Sequence, residues 1–126
     1  MSTYHSHDKD GRLYREHPGD LHVADADLLA VLEGTRHLLL DGAMGTMLQA
    51  AGLKVGELPE LLCVEQPDVV EGVHRAYVEA GSEAVTTNTF GANAHKLGGT
   101  LGVDECFAAA IGCARRAGAR LSLIHI

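Results

Sequence analysis

The chain has 126 residues, 46% hydrophobic and 21% charged, the balance of a single globular domain rather than of a disordered polymer. Ten basic against 17 acidic residues give a net charge of −7, which argues against nucleic acid and against an anionic membrane as partners. No apolar stretch approaches the ~20 residues of a membrane span, no secretory pattern opens the chain, and the odd set Cys63, Cys106 and Cys113 fits a reducing, cytoplasmic setting.

Residues 1–24 are polar, hold four of the eight histidines and show no sustained periodicity, which predicts a disordered N-terminal tail. Residues 25–126 carry the folded part. "DADLLAVLEG" predicts a short helix, with Asp25 or Asp27 at its start and Gly34 beyond its end. "HLLLD", residues 37–41, is a short apolar run of the kind found in a strand buried on both faces. In "EQPDVVEGVHRAYVEAGSEA", Pro67 stands where the first helical residue belongs and Gly81 where a left-handed cap is wanted. Val69, Val73, Ala76, Tyr77 and Ala80 recur at helical spacing and predict its buried face. "AVTTNTF" is β-branched and predicts a strand over 84–89. A third helix is expected over 104–117, with Phe107, Ala110, Ile111 and Ala114 on one face and Gly118 closing it. Helices alternating with strands, together with 15 glycines, predict an α/β fold with a parallel sheet.

In such folds ligands sit at the carboxyl ends of the strands. The first predicted strand ends in Asp41, followed by Gly42, Ala43, Met44 and Gly45; the second ends in Thr86, Thr87, Asn88 and Thr89, followed by Phe90 and Gly91. A carboxylate can hold an ammonium group, and a glycine turn can bring backbone N–H donors to an anion. Together they suit the two ends of a zwitterionic amino acid. Plainer readings stand beside this one: Asp-Gly is ordinary turn chemistry, and the threonines and Asn88 can cap the following turn. The glycines form neither a dinucleotide fingerprint nor a phosphate loop. His74 and His95 are expected on the surface, and Cys106 and Cys113, seven apart on a helix of small residues, as packing residues.

"LLLDGAMGTMLQ", "PDVVEGVHRAYVEAGSEAVTTNTFGAN" and the adjoining "HKL" resemble the start of the homocysteine-binding domain of the homocysteine S-methyltransferase family. The resemblance runs from about Leu38 to about Gly118. It implies the N-terminal part, about two βα units, of a (β/α)8 TIM barrel that binds homocysteine at its carboxyl face; a full barrel takes ~250 residues. It also implies that Asp41 contacts the substrate amino group and that the backbone of Gly42, Ala43 and Met44 approaches its carboxylate. Thr87, Asn88 and Thr89 would line the same mouth.

The family's chemistry, by the same resemblance, is methyl transfer to a zinc-activated homocysteine thiolate, giving methionine. Its zinc ligands are three cysteines, a lone one and a later adjacent pair. The cysteines of this chain fall at none of those places, so they are not expected to be ligands, and the fragment alone is expected to be inactive. The resemblance leaves the methyl donor open, including cobalamin as a methyl carrier in the parent protein. "LSLIHI", at the end, departs from the family pattern and reads as a truncated or frame-shifted end. Two other roles fit the residues alone: a non-catalytic amino-acid-binding module and a small interaction protein using exposed sheet edges.

Overall fold

A computed structural model describes residues 2–4 and 21–123. The chain divides into two compact units, Met1–Leu38 and Leu39–Ile126. In the first unit, β1 (Ser2–Tyr4) pairs antiparallel with β2 (Leu21–Val23), so two short strands stand within the stretch read as an irregular tail. Most of that stretch, residues 5–20, lies outside the described residues. Helix α1 (Ala26–Leu32) follows, and the Asp25 carboxylate caps it by accepting the N–H groups of Asp27 and Leu28, each at 2.9 Å.

In the second unit, α2 (Gly45–Ala50) is followed by a 3-10 turn at Pro59–Leu61, α3 (Leu62–Glu65) and α4 (Pro67–Glu79). Strand β3 (Ala84–Thr86), α5 (Ala94–Leu97), α6 (Val103–Arg116) and β4 (Leu121–Leu123) complete it. Strand β3 pairs with β4 in parallel, and Leu40 forms a parallel bridge to Ala84. Three chain segments therefore run the same way side by side, with helices in the two connections. The main core joins Leu48, Leu62, Cys63, Val70, Val73, Ala110 and Cys113, drawn from α2, α3, α4 and α6.

The two long helices end alike. At the end of α4, the Ser82 N–H donates to the Tyr77 carbonyl and the Gly81 N–H to the Val78 carbonyl, each at 3.0 Å. At the end of α6, Ala119 and Gly118 bond back to Ala114 and Arg115 in the same pattern. Both are Schellman motifs, which require a left-handed residue after the helix; Gly81 has φ 109° and Gly118 φ 82°. Each cap turns the chain straight into a strand, β3 after α4 and β4 after α6.

Four expectations are corrected. The predicted strand over 37–41 shrinks to the single bridge at Leu40, because this segment finds a partner along one edge only among the described residues, and Leu39 and Leu40 stay 57% and 48% exposed. The second strand stops at Thr86 rather than running to 89, because residues 87–92 curl into turns closed by Thr89 N–H to Thr87 and Ala92 N–H to Thr89. The buried stripe of α4 is Val70, Val73 and His74, flanked by half-buried Val69 and Tyr77, while Ala76 and Ala80 are exposed. His74, expected on the surface, is fully buried. Leu121–Leu123, the first half of the segment read as a departure from pattern, form β4, and residues 124–126 lie outside the described residues. Cys106 and Cys113 are buried packing residues, as expected.

Candidate functional site

The loops leaving the parallel segments meet at one cavity of about 510 Å³. Asp41 emerges from the bridged segment, its N–H held by the Ala84 carbonyl at 3.0 Å. Its side chain reaches across to β3: Oδ2 accepts the Thr86 N–H at 2.9 Å and Oδ1 the Thr86 hydroxyl at 3.1 Å. Asp41 thus ties the ends of two neighbouring segments while remaining on the cavity wall.

After Asp41 the chain turns tightly beneath α4. An ideal Cβ on Gly42 would lie 2.9 Å from the Tyr77 hydroxyl oxygen, so any larger residue pushes on the ring. The same hydroxyl donates to the Ala43 carbonyl at 2.9 Å, fixing the turn. Gly42, Ala43 and Met44 all line the cavity. Among the described residues, their backbone N–H groups have no hydrogen-bond partner. Three donors beside a carboxylate form a surface that complements both ends of an α-amino acid.

The loop after β3 is tied down from the side. The Asn88 side chain donates to the Pro59 carbonyl at 2.7 Å and to the Cys63 sulfur at 3.5 Å. Glu60, only 4% exposed, accepts the Gly91 N–H through Oε1 at 2.6 Å. A Cβ on Gly91 would stand 2.8 Å from that same oxygen, so glycine is what lets the loop close on the carboxylate.

Of the residues singled out from sequence, Asp41, Gly42, Ala43, Met44 and Asn88 come together on the cavity wall. Thr87 and Thr89 do not line it; they are buried, their hydroxyls 2.9 Å apart, and they shape the loop from within. Thr86, read from sequence in the polar end of the second strand, also lines the cavity, as do Glu60, Phe90 and Lys96, which were assigned no role from sequence. The Lys96 ammonium lies 5.5 Å from the centre of the exposed Phe90 ring, placing a cation at the rim. No local pattern marks Glu60, whose position depends on the turn at Pro59–Leu61 packing beneath the 87–92 loop. Lys96 falls within the quoted "HKL" but has no spacing signal of its own.

His74 has both ring nitrogens buried without a partner among the described residues. Burial pushes its pKa below the ordinary value, opposed by the charge of Asp41, so the ring is held towards its neutral form. The thiols do not fit a metal centre. Cys63 is pushed up to about 12, first by burial and then by Cys113, and Cys106 and Cys113 are also raised by burial. Among the described residues, no group of three or more His, Cys, Asp or Glu side chains is placed to hold a metal ion. The described residues therefore do not fit the zinc that the resemblance implies.

Comparison with known proteins bears on the family and the fold. The family model described as homocysteine S-methyltransferase matches residues 38–124, through β4 and beyond the limit near Gly118 read from sequence. A methionine synthase from Mycobacterium tuberculosis is 49% identical over 85 residues, covering 63% of this chain and 7% of that protein. One from Mycobacterium leprae is 46% identical over 83 residues, covering 61% and 7%. The chain thus spans only a small part of the curated relatives it matches. Crystal structures of the homocysteine methyltransferase MmuM from Escherichia coli superpose on it at 28% identity. The metallated form does so with a TM-score of 0.59 over 71% of this chain and 34% of that one. The oxidized form gives 0.63 over 75% and 34%. The fold therefore matches part of a homocysteine methyltransferase, and with the family model covering most of its length, the chain belongs to the homocysteine S-methyltransferase family.

Proposed function

We propose that this chain supplies the amino-acid-binding part of a homocysteine S-methyltransferase, the first βα units of a (β/α)8 barrel whose remainder provides the metal and the methyl donor site. The observation that carries this reading is the Asp41 carboxylate beside three unbonded backbone donors at Gly42, Ala43 and Met44, on one cavity at the ends of parallel segments.

In this reading Asp41 accepts a hydrogen bond from the substrate ammonium on a lone pair left after its two bonds to Thr86. The 42–44 backbone receives the substrate carboxylate. Asn88 closes the wall from the second strand, with Thr87 and Thr89 holding its loop in shape. The sulfur then points away from this end, towards residues outside the chain that would activate it as thiolate. In the complete protein the reaction is transfer of a methyl group to that thiolate, giving methionine.

The test is a chimera in which residues 38–124 replace the matching segment of the Mycobacterium tuberculosis methionine synthase. It should form methionine from homocysteine. Asp41→Asn keeps an acceptor for the Thr86 N–H and removes the charge. It should lower kcat/KM for homocysteine by about 1.5–3 kcal/mol, the worth of a hydrogen bond to a charged group. Unchanged kinetics in that variant would make Asp41 a structural tie only.

A further inference from the structure

The cavity holds a second carboxylate whose surroundings differ from those of Asp41. Glu60 is 4% exposed, yet it lines the cavity. One oxygen, Oε1, is engaged by the Gly91 N–H at 2.6 Å. The other, Oε2, has no hydrogen bond and no cationic side chain paired with it among the described residues. Asp41, by contrast, has both oxygens already bonded to Thr86. Carboxylates are rarely buried this deeply unless paired, because desolvation penalises a lone charge. The pairing partner is therefore to be sought in what enters the cavity.

The cavity's other groups narrow that partner. Lys96 stands at the rim over Phe90, and the N–H groups of the 42–44 turn are open, so the same space offers cationic and donor groups for an anion. A ligand meeting both sides carries an ammonium and a carboxylate on one small frame. We propose that Glu60 is a binding residue for the substrate ammonium group, accepting through Oε2 and setting the preference of the site for α-amino acids over the corresponding simple acids. This rests on the homocysteine reading above. It assigns the amino-group recognition to Glu60 as well as to Asp41, with Gly91 holding Glu60 in place.

The experiment is a calorimetric titration of the 126-residue chain with L-homocysteine and with γ-mercaptobutyrate, its analogue lacking the amino group. It is repeated on Glu60→Gln. Glutamine keeps a carbonyl oxygen for the Gly91 N–H and loses only the negative charge. The unsubstituted chain should prefer homocysteine. In Glu60→Gln, homocysteine affinity should fall roughly tenfold to a hundredfold, as for loss of one charged hydrogen bond, while γ-mercaptobutyrate affinity stays the same. An undiminished preference for homocysteine in Glu60→Gln, or an equal loss for both ligands, would overturn the role of Glu60 and leave the homocysteine reading standing. Absence of homocysteine binding to the unsubstituted chain would overturn both.

Discussion

Replacing Gly42 by alanine probes the turn on which the site is built. The Cβ would sit 2.9 Å from the Tyr77 hydroxyl oxygen, 3.1 Å from Cε1 and 3.3 Å from Cζ. Contacts this short displace the ring, an overpacking cost of about 1–3 kcal/mol. The displaced hydroxyl also gives up its bond to the Ala43 carbonyl, worth about 1 kcal/mol. Against this, Gly42 has no positive φ, so alanine adopts its backbone without strain and gains about 0.4–1 kcal/mol from a less free unfolded chain. The net destabilisation should be about 1–3.5 kcal/mol. In a Tyr77→Phe background the closest contact disappears while the ring-carbon contacts remain, so the same substitution should cost about 1 kcal/mol less. Urea denaturation of the four chains of this cycle measures both quantities. A Gly42→Ala chain within about 0.3 kcal/mol of the parent, or an equal cost in both backgrounds, would refute the reasoning.

His74 and Cys63 give two more expectations. His74 has its folded pKa lowered from 6.5, so the unfolded chain takes up a proton that the native state refuses; stability present above pH 6.5 is lost as pH falls through the folded value. His74→Leu should remove that share of the acid sensitivity and, by deleting two unpartnered nitrogens, leave the chain as stable or more so at neutral pH; an unchanged pH dependence of the urea midpoint would contradict this. Cys63, with its thiol pushed up to about 12, should resist iodoacetamide in the native chain at pH 8 and react after unfolding; mass spectrometry showing rapid native alkylation at Cys63 would count against the buried site described.

Much of the fold was legible in the sequence where the determinants are local. Pro67 opening α4, and Gly81 and Gly118 closing α4 and α6, act within one turn of chain, and the structure places them as read. The buried face of α4 was misjudged because His74 was counted as polar, although it completes the stripe with Val70, Val73 and Tyr77. The run at 37–41 has a strand's composition, yet pairing depends on neighbours, and here only Leu40 makes a bridge. The site divides the same way. Asp41 and the glycine turn were legible because they stand at the end of an apolar run. Glu60 and Lys96 were not, since it is tertiary packing that brings the 3-10 turn and α5 to the cavity.

The central claim, that the cavity at the ends of the parallel segments takes the amino-acid end of homocysteine, is tested most directly by amide NMR of the isotopically labelled chain titrated with L-homocysteine. Saturable shifts should concentrate on residues 41–44, with smaller ones at Asn88 and Gly91, and should diminish in Asp41→Asn. No saturable shift at millimolar ligand, or shifts confined to residues away from the cavity, would contradict it.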